Sequence, residues 1–312
     1  MGDKRIPLII DTDPGIDDAA ALSLALFSPA VDVRLIATVA GNVGIEKTTR
    51  NALRLESFMG TDVPVARGAA GPLAGSAIVA DAVHGKSGLG NWGYEGEATE
   101  LLIDTPAAQV IWDELLACEA EGCKATILTL GPLTNIAILL REHPDLADHV
   151  ECLVGMGAGI THGNVGPLAE FNIAADPLAA CEVVESALDV TFVPLEVADN
   201  ALLSPADLGE LASASRTGAA VAEMMDAYAS STELAGGKQV YDPTAFCYVV
   251  EPQMFQVATC HLDVTTEPGE DWGGTHFDLE GSRGLLANVH VATGVDADAF
   301  RRWFLDGFRL CS

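Results

Sequence analysis

Residues 6–20 read IPLIIDTDPGIDDAA: a short apolar run, four aspartates within eight positions, then the alanines that open DDAAALSLALF (17–27). An uninterrupted apolar run closed by turn formers is the pattern of a strand buried on both faces. Pro14 and Gly15 break it, and helical spacing follows. The stretch therefore predicts strand, tight turn and helix, with carboxylates at the junction. Four like charges so close repel one another and raise each other's pKa unless a cation, protons or hydrogen-bond donors compensate. That cost marks the junction as a site.

The same alternation recurs along the chain. Strand-like runs appear at VRLIATVA (33–40), ATILTL (125–130), ECLVGM (151–156) and VTFVPL (190–195), with helical stretches such as 48–60, 106–122 and 133–144 between several of them. Alternating strands and helices predict an α/β fold: one domain over 1–312 with a mostly parallel, Rossmann-like central sheet flanked by helices. Residues 255–292 mix short strands and turns and are expected to add a small antiparallel C-terminal extension. The segment 201–240 has a helical pattern that ends in ELAGGKQ, expected to be a mobile loop. In such a fold ligands bind beyond the carboxyl ends of the strands. The segments following the runs are DTDPGIDD, GNVG, GPLTN, GAGITHGNVGPLAEFN and EVADN, so glycines and polar groups collect at one edge.

Composition narrows the function. With 49% apolar and 20% charged residues, the 312-residue chain can bury a large core. Sixteen Lys and Arg against 45 Asp and Glu give a net charge of −29, which repels nucleic acid and anionic membrane surfaces. The apolar stretch at the N-terminus is too short for a signal peptide, and no window of 18 apolar residues suggests a membrane span. A cytoplasmic protein is expected. Seven scattered cysteines without a C-x-x-C pair are expected to be reduced.

Asp13, Asp17 and Asp18 can point into one cavity, and oxygen-only ligands select a hard cation, Ca2+ or Mg2+, over zinc. Asp242 in VYDPTAF is a candidate fourth carboxylate, although an ordinary helix cap has the same pattern. A cation held by carboxylates can acidify a water while a neighbouring carboxylate takes the proton, which is hydrolytic chemistry. Loops rich in Asn and Glu suit a substrate with many hydroxyls.

DTDPGIDDA (11–19) resembles the N-terminal signature of the nucleoside hydrolases, which cleave the N-glycosidic bond of ribonucleosides. VAGNVG (39–44), HGKSGLG (84–90), GPLTNIA (131–137), GNVGPLAEFNIAADPLAA (163–180) and YDPTAF (241–246) follow in that family's order. The resemblance implies a Ca2+ held by Asp13, Asp18, the carbonyl of Leu130 and Asp242, with Asp13 as general base. It places Asp17, Asn172 and Asp242 on the ribose 2' and 3' hydroxyls and Asn164 and Glu170 on the 5' hydroxyl. Asn42, Met156 and Phe171 would line the substrate site, and Asp11 would support the other aspartates. A homodimer or homotetramer is implied as well.

One position departs from the pattern. The inosine-uridine branch carries a histidine just before the final aspartate, where it protonates the leaving base; here that residue is Tyr241. Tyr241 itself, His84, or stacking of the base on Trp92 are the readings left open, whereas His162 has only its nearness to the site in its favour. Two other readings of the chain are a nucleoside- or ribose-binding protein without turnover and a phosphatase of the haloacid dehalogenase type. Pro14 after the second aspartate speaks against the phosphatase.

Overall fold

The computed structural model describes residues 5–228, 233–234 and 237–312. Strand β1 (Ile6–Thr12) leads into α1 (Ile16–Phe27), as the opening stretch predicts. There follow β2 (Val31–Thr38), α2 (Ile45–Met59), β3 (Val65–Arg67), α3 (Asp81–His84), β4 (Leu102–Ile103), α4 (Ala107–Ala120), β5 (Ala125–Thr129), α5 (Thr134–Glu142) and β6 (Val150–Met156). The second half adds α6 (Phe171–Ala175), α7 (Pro177–Val184), β7 (Val190–Val193), α8 (Leu195–Asn200), α9 (Pro205–Ala214), α10 (Arg216–Asp226), β8 (Glu233–Leu234) and β9 (Gly237–Lys238). It closes with α11 (Tyr241–Val250), β10 (Phe255–Val264), β11 (Thr275–Asp278), β12 (Val289–Val295) and α12 (Ala297–Leu310).

A ten-stranded sheet in the order β11-β10-β12-β7-β6-β5-β1-β2-β3-β4 runs through the molecule. Strand β1 pairs in parallel with both β2 and β5, so the winding direction reverses at β1. Helices cover both faces, and the strand side chains divide between two cores. Leu8 and Ile10 of β1 join a core shared with α1, α2, α10, α11 and α12, while Ile9 joins the one shared with α4, α5 and α7. Burial on both faces is why these strands read as continuous apolar runs rather than alternating ones.

The C-terminal extension is smaller than its sequence suggests. Strand β12 pairs in parallel with β7 and so continues the main sheet; β10 runs antiparallel to β12, and β11 antiparallel to β10. In the expected ELAGGKQ loop, β8 and β9 pair as a short antiparallel ladder and Lys238 exchanges backbone hydrogen bonds with Leu203. Ala235 and Gly236 lie outside the described residues. No helix among the described residues is long and apolar enough to cross a membrane. All seven cysteines are free thiols.

Candidate active site

The site lies at the carboxyl ends of β1, β5 and β6, on either side of the reversal at β1. Asp13 follows β1 directly. Its Oδ2 accepts the backbone N–H of Asn42 at 2.6 Å. The glycines of GNVG and GPLTN make this possible: a Cβ on Gly41 would stand 2.1 Å from Asp13 Oδ2, and one on Gly131 would stand 2.7 Å from Asp13 Oδ1. Asp13 Oδ1 is buried without a hydrogen-bond partner.

Asp18 sits in the first turn of α1. Its Oδ2 accepts the N–H of Gly15 at 2.9 Å and the Asn42 side-chain amide at 3.0 Å, and its Oδ1 accepts the Thr12 hydroxyl at 2.5 Å. Asp17, one residue earlier, accepts the Tyr228 hydroxyl and the backbone N–H of Tyr241. Asp242 follows Tyr241 in the first turn of α11, so two helix N-termini face the same carboxylates, where their dipoles favour negative charge. Asp11 is held from behind, its Oδ1 accepting the Asn135 amide at 2.7 Å.

Oxygens of Asp17, Asp18 and Asp242 lie within 4.8 Å of one another, and all three residues are buried. This trio differs from the ligand set implied by the resemblance: Asp17 is in it and Asp13 is not. Asp13 lies close beside the trio, where the charges of Asp18 and Asp17 act on it and its Oδ2 accepts the Asn42 N–H. Burial, followed by repulsion from its neighbours, raises the pKa of Asp13, Asp18 and Asp242, and burial pushes Asp17 up to about 6 and Asp11 to about 7. A divalent cation among the carboxylates would reverse those shifts. The donor set consists of oxygens, one Asp13 oxygen is unpartnered, and neither Lys nor Arg is among the described residues lining the cavity, so the residues fit a hard cation.

Above the aspartates opens a cavity of about 580 Å³. Asp17, Asn42, His84, Leu130, Met156, Asn164, Glu170, Phe171, Asn172, Tyr241 and Asp242 all line it. Asn172 donates its amide to the carbonyls of Leu130 at 2.8 Å and Met156 at 3.2 Å, tying α6 to β6 and to the residue after β5. The Leu130 carbonyl, expected on the cation, thus already has one donor and keeps its second lone pair. Glu170 caps α6: its carboxylate accepts the N–H groups of Asn172, Ile173 and Ala158. Burial nonetheless raises it to about 7. Ala158, held by that contact, is the one non-glycine residue with positive φ among the described residues, at 71°, a strained backbone of the kind concentrated at functional sites.

The three expectations for the base fare differently. Trp92 lies outside the cavity; it is buried, stacked on Tyr94 and edge-on to Phe58, with Arg54 over its ring 5.1 Å away. An aromatic cluster behind the HGKSGLG loop, rather than a base, occupies its face. The loop itself is pinned rather than free, with Leu89 fully buried and Asn51 donating to the carbonyls of Pro14 and Ser87. His84 lines the cavity, but its Nδ1 accepts the N–H of Ile16 at 3.1 Å and burial pushes its pKa down to about 4, the form that cannot give up a proton readily. Tyr241 also lines the cavity, and burial with the nearby Asp199 charge raises its pKa further, making it a weaker acid than an ordinary tyrosine.

Sequence reasoning missed Tyr228, which is buried, hydrogen-bonded to Asp17 and 5.2 Å from the ring of His84. Asp199 and Gln239 were missed as well; both line the cavity, and the Gln239 amide donates to Asp199.

The profile of the inosine-uridine preferring nucleoside hydrolases matches residues 8–302. The chain belongs to that family. It is thus a hydrolase of N-glycosyl compounds, a ribonucleoside hydrolase in activity. It is 42% identical over 301 residues to the non-specific ribonucleoside hydrolase RihC of Salmonella typhimurium, an alignment covering 96% of this chain and 97% of that one. A plant nucleoside hydrolase, PpNRh1, superposes with a TM-score of 0.88 at 30% identity, covering 98% of this chain and 99% of the other. A purine-preferring ribonucleoside hydrolase from Gardnerella vaginalis does so with a TM-score of 0.88 at 29% identity, covering 97% and 98%.

Proposed function

We propose that the protein cleaves the N-glycosidic bond of ribonucleosides in a Ca2+-dependent reaction, releasing ribose and the free base, with Asp13 as general base. The observation that carries this reading is the unpartnered, buried Asp13 Oδ1 beside three clustered carboxylates. An oxygen so placed is ready to take the proton of a water attacking the anomeric carbon. Asp18 and Asp242 would hold the ion with Asp13 and the Leu130 carbonyl. When bound, Ca2+ supplies the positive charge that relieves carboxylate repulsion and acidifies water beside it.

The chain's own groups account for the remaining demands of the reaction. Asp17, Asn172 and Asp242 grip the 2' and 3' hydroxyls, and Asn164 and Glu170 the 5' hydroxyl. Positive charge grows on the ribose ring as the bond breaks, and a fixed ring of carboxylates stabilises it. The Salmonella relative's name describes it as non-specific, which supports a panel of several bases rather than one.

The test is base release from inosine, uridine, cytidine and adenosine, before and after chelation. Release that a chelator abolishes and Ca2+ restores supports the reading; release indifferent to chelation refutes the metal dependence. Asp13→Ala should lower kcat by about 10³-fold or more while calorimetry still detects nucleoside binding. Retained turnover would remove Asp13 from the role of base. Light scattering of the native chain tests the homodimer or homotetramer.

A further inference from the structure

With His84 pinned by Ile16, Trp92 outside the cavity and Tyr241 a weaker acid than an ordinary tyrosine, none of the three readings left open by the sequence supplies a ready proton donor to the departing base. The cavity wall offers another candidate. His162, on the loop between β6 and α6, lines the cavity beside Asp199, Gln239 and Tyr241. Its Nδ1 lies 3.3 Å from Glu196 Oε1 and its Nε2 lies 3.3 Å from Asp199 Oδ2. Both ring nitrogens thus lie within reach of carboxylate oxygens, each of which can accept an N–H from the ring. Among the described residues the titratable groups that face the ring are Glu196 and Asp199, both from α8, and Asp199 in turn lies near Tyr241.

The two carboxylates are not equivalent. Glu196 is fixed: it accepts the N–H groups of Ile160 and Thr161 and the Thr161 hydroxyl, and although burial raises its pKa these donors hold it below the usual range. Asp199 has a second donor in the Gln239 amide. The imidazole can therefore leave Asp199 without stranding a buried carboxylate, while Glu196 keeps its grip on Nδ1. The His162 side chain is 45% exposed, so it has room to turn.

We propose that His162 is the proton donor to the leaving base, turning its Nε2–H from Asp199 onto a ring nitrogen or carbonyl of the base. The inference rests on the hydrolase reading above. As the C1'–N bond breaks, its electron pair passes to the base, which takes the proton from Nε2. The attacking water forms the new C1'–O bond and loses its proton to Asp13. Solvent then carries that proton back to His162, so substrate and water yield ribose and neutral base with nothing left over.

The experiment compares wild type and His162→Gln on inosine, uridine and p-nitrophenyl β-D-ribofuranoside, whose phenolate departs without protonation. The expected result is a fall of about 10²-fold in kcat for both nucleosides, with nitrophenolate release retained within about threefold. Equal losses on all three substrates would show a merely structural role and overturn the proposal, as would full activity on the nucleosides. A wild-type enzyme that releases neither base nor nitrophenolate would instead sink the hydrolase reading, before any variant is compared.

Discussion

The backbone N–H of Ile16 donates to Nδ1 of His84 at 3.1 Å, which leaves the imidazole's single proton on Nε2. The first residue of α1 thereby sets the tautomer of a histidine 68 positions away in the chain. Burial depresses the pKa of His84 to about 4, against an ordinary 6.5. A depressed histidine pKa means that the folded state takes its proton later than the unfolded chain does. The stability it contributes is complete above about pH 6.5 and is lost as pH falls through about 4. Nitrogen NMR of the imidazoles should show His84 as the neutral Nε2–H form at pH 6; titration at its ordinary pKa would contradict the bond.

Gly41→Ala introduces a Cβ only 2.1 Å from Asp13 Oδ2, and the carboxylate must move. Displacing a reacting group by about an ångström costs on the order of 10²-fold in rate. Steady-state kinetics should show that loss mainly in kcat, with circular dichroism unchanged. A variant with wild-type kcat would mean that Asp13 needs no such recess.

If Asp17, Asn172 and Asp242 grip the ribose, then 2'-deoxynucleosides strand buried polar groups. Their kcat/KM should fall by about 10³-fold or more relative to the matching ribonucleosides. Parallel assays of adenosine and 2'-deoxyadenosine measure the ratio, and a ratio near one would dissolve the proposed grip.

Away from the site, Glu56 on α2 is fully buried, with Oε2 accepting the Val63 N–H at 3.1 Å and Oε1 unpartnered. Burial raises its pKa to about 7 from 4.5. A raised carboxyl pKa favours folding below the unfolded value of 4.5, and that advantage is lost as pH rises through about 7. Glu56→Gln should therefore be the more stable protein at pH 8, by about 2 kcal/mol, and should converge with wild type below pH 5. Thermal unfolding at the two pH values decides it.

The fold was legible wherever strands were buried on both faces, because such strands leave continuous apolar runs and push every polar residue to their ends. That is why Asp13, Asn42 and Asn172 fall in segments that the strand pattern alone brings to one edge, whereas Leu130, the last residue of its apolar run, is picked out only by the family resemblance. The glycines were legible only as turn formers; that Gly41 and Gly131 make room for Asp13 is a matter of packing. Trp92 misled because an aromatic residue near a site has the same sequence signature whether it faces the ligand or Phe58 and Tyr94. Asp199 was legible only as part of EVADN, one of the polar segments at the sheet edge, with nothing to single it out from Glu196 and Asn200. Tyr228 was missed because it is one aromatic residue just past the end of α10, and what brings it to the cavity is the docking of that helix rather than any local pattern.

The carboxylate cluster spans the chain in an uneven way: Asp17 and Asp18 lie at the start of α1, whereas Asp242 arrives only with α11. About three quarters of the 312 residues must leave the ribosome before all three can meet. A nascent or truncated chain lacking α11 can build the early strands and helices, yet it holds an incomplete cage. The order of synthesis thus keeps the three carboxylates apart until α11 has been made.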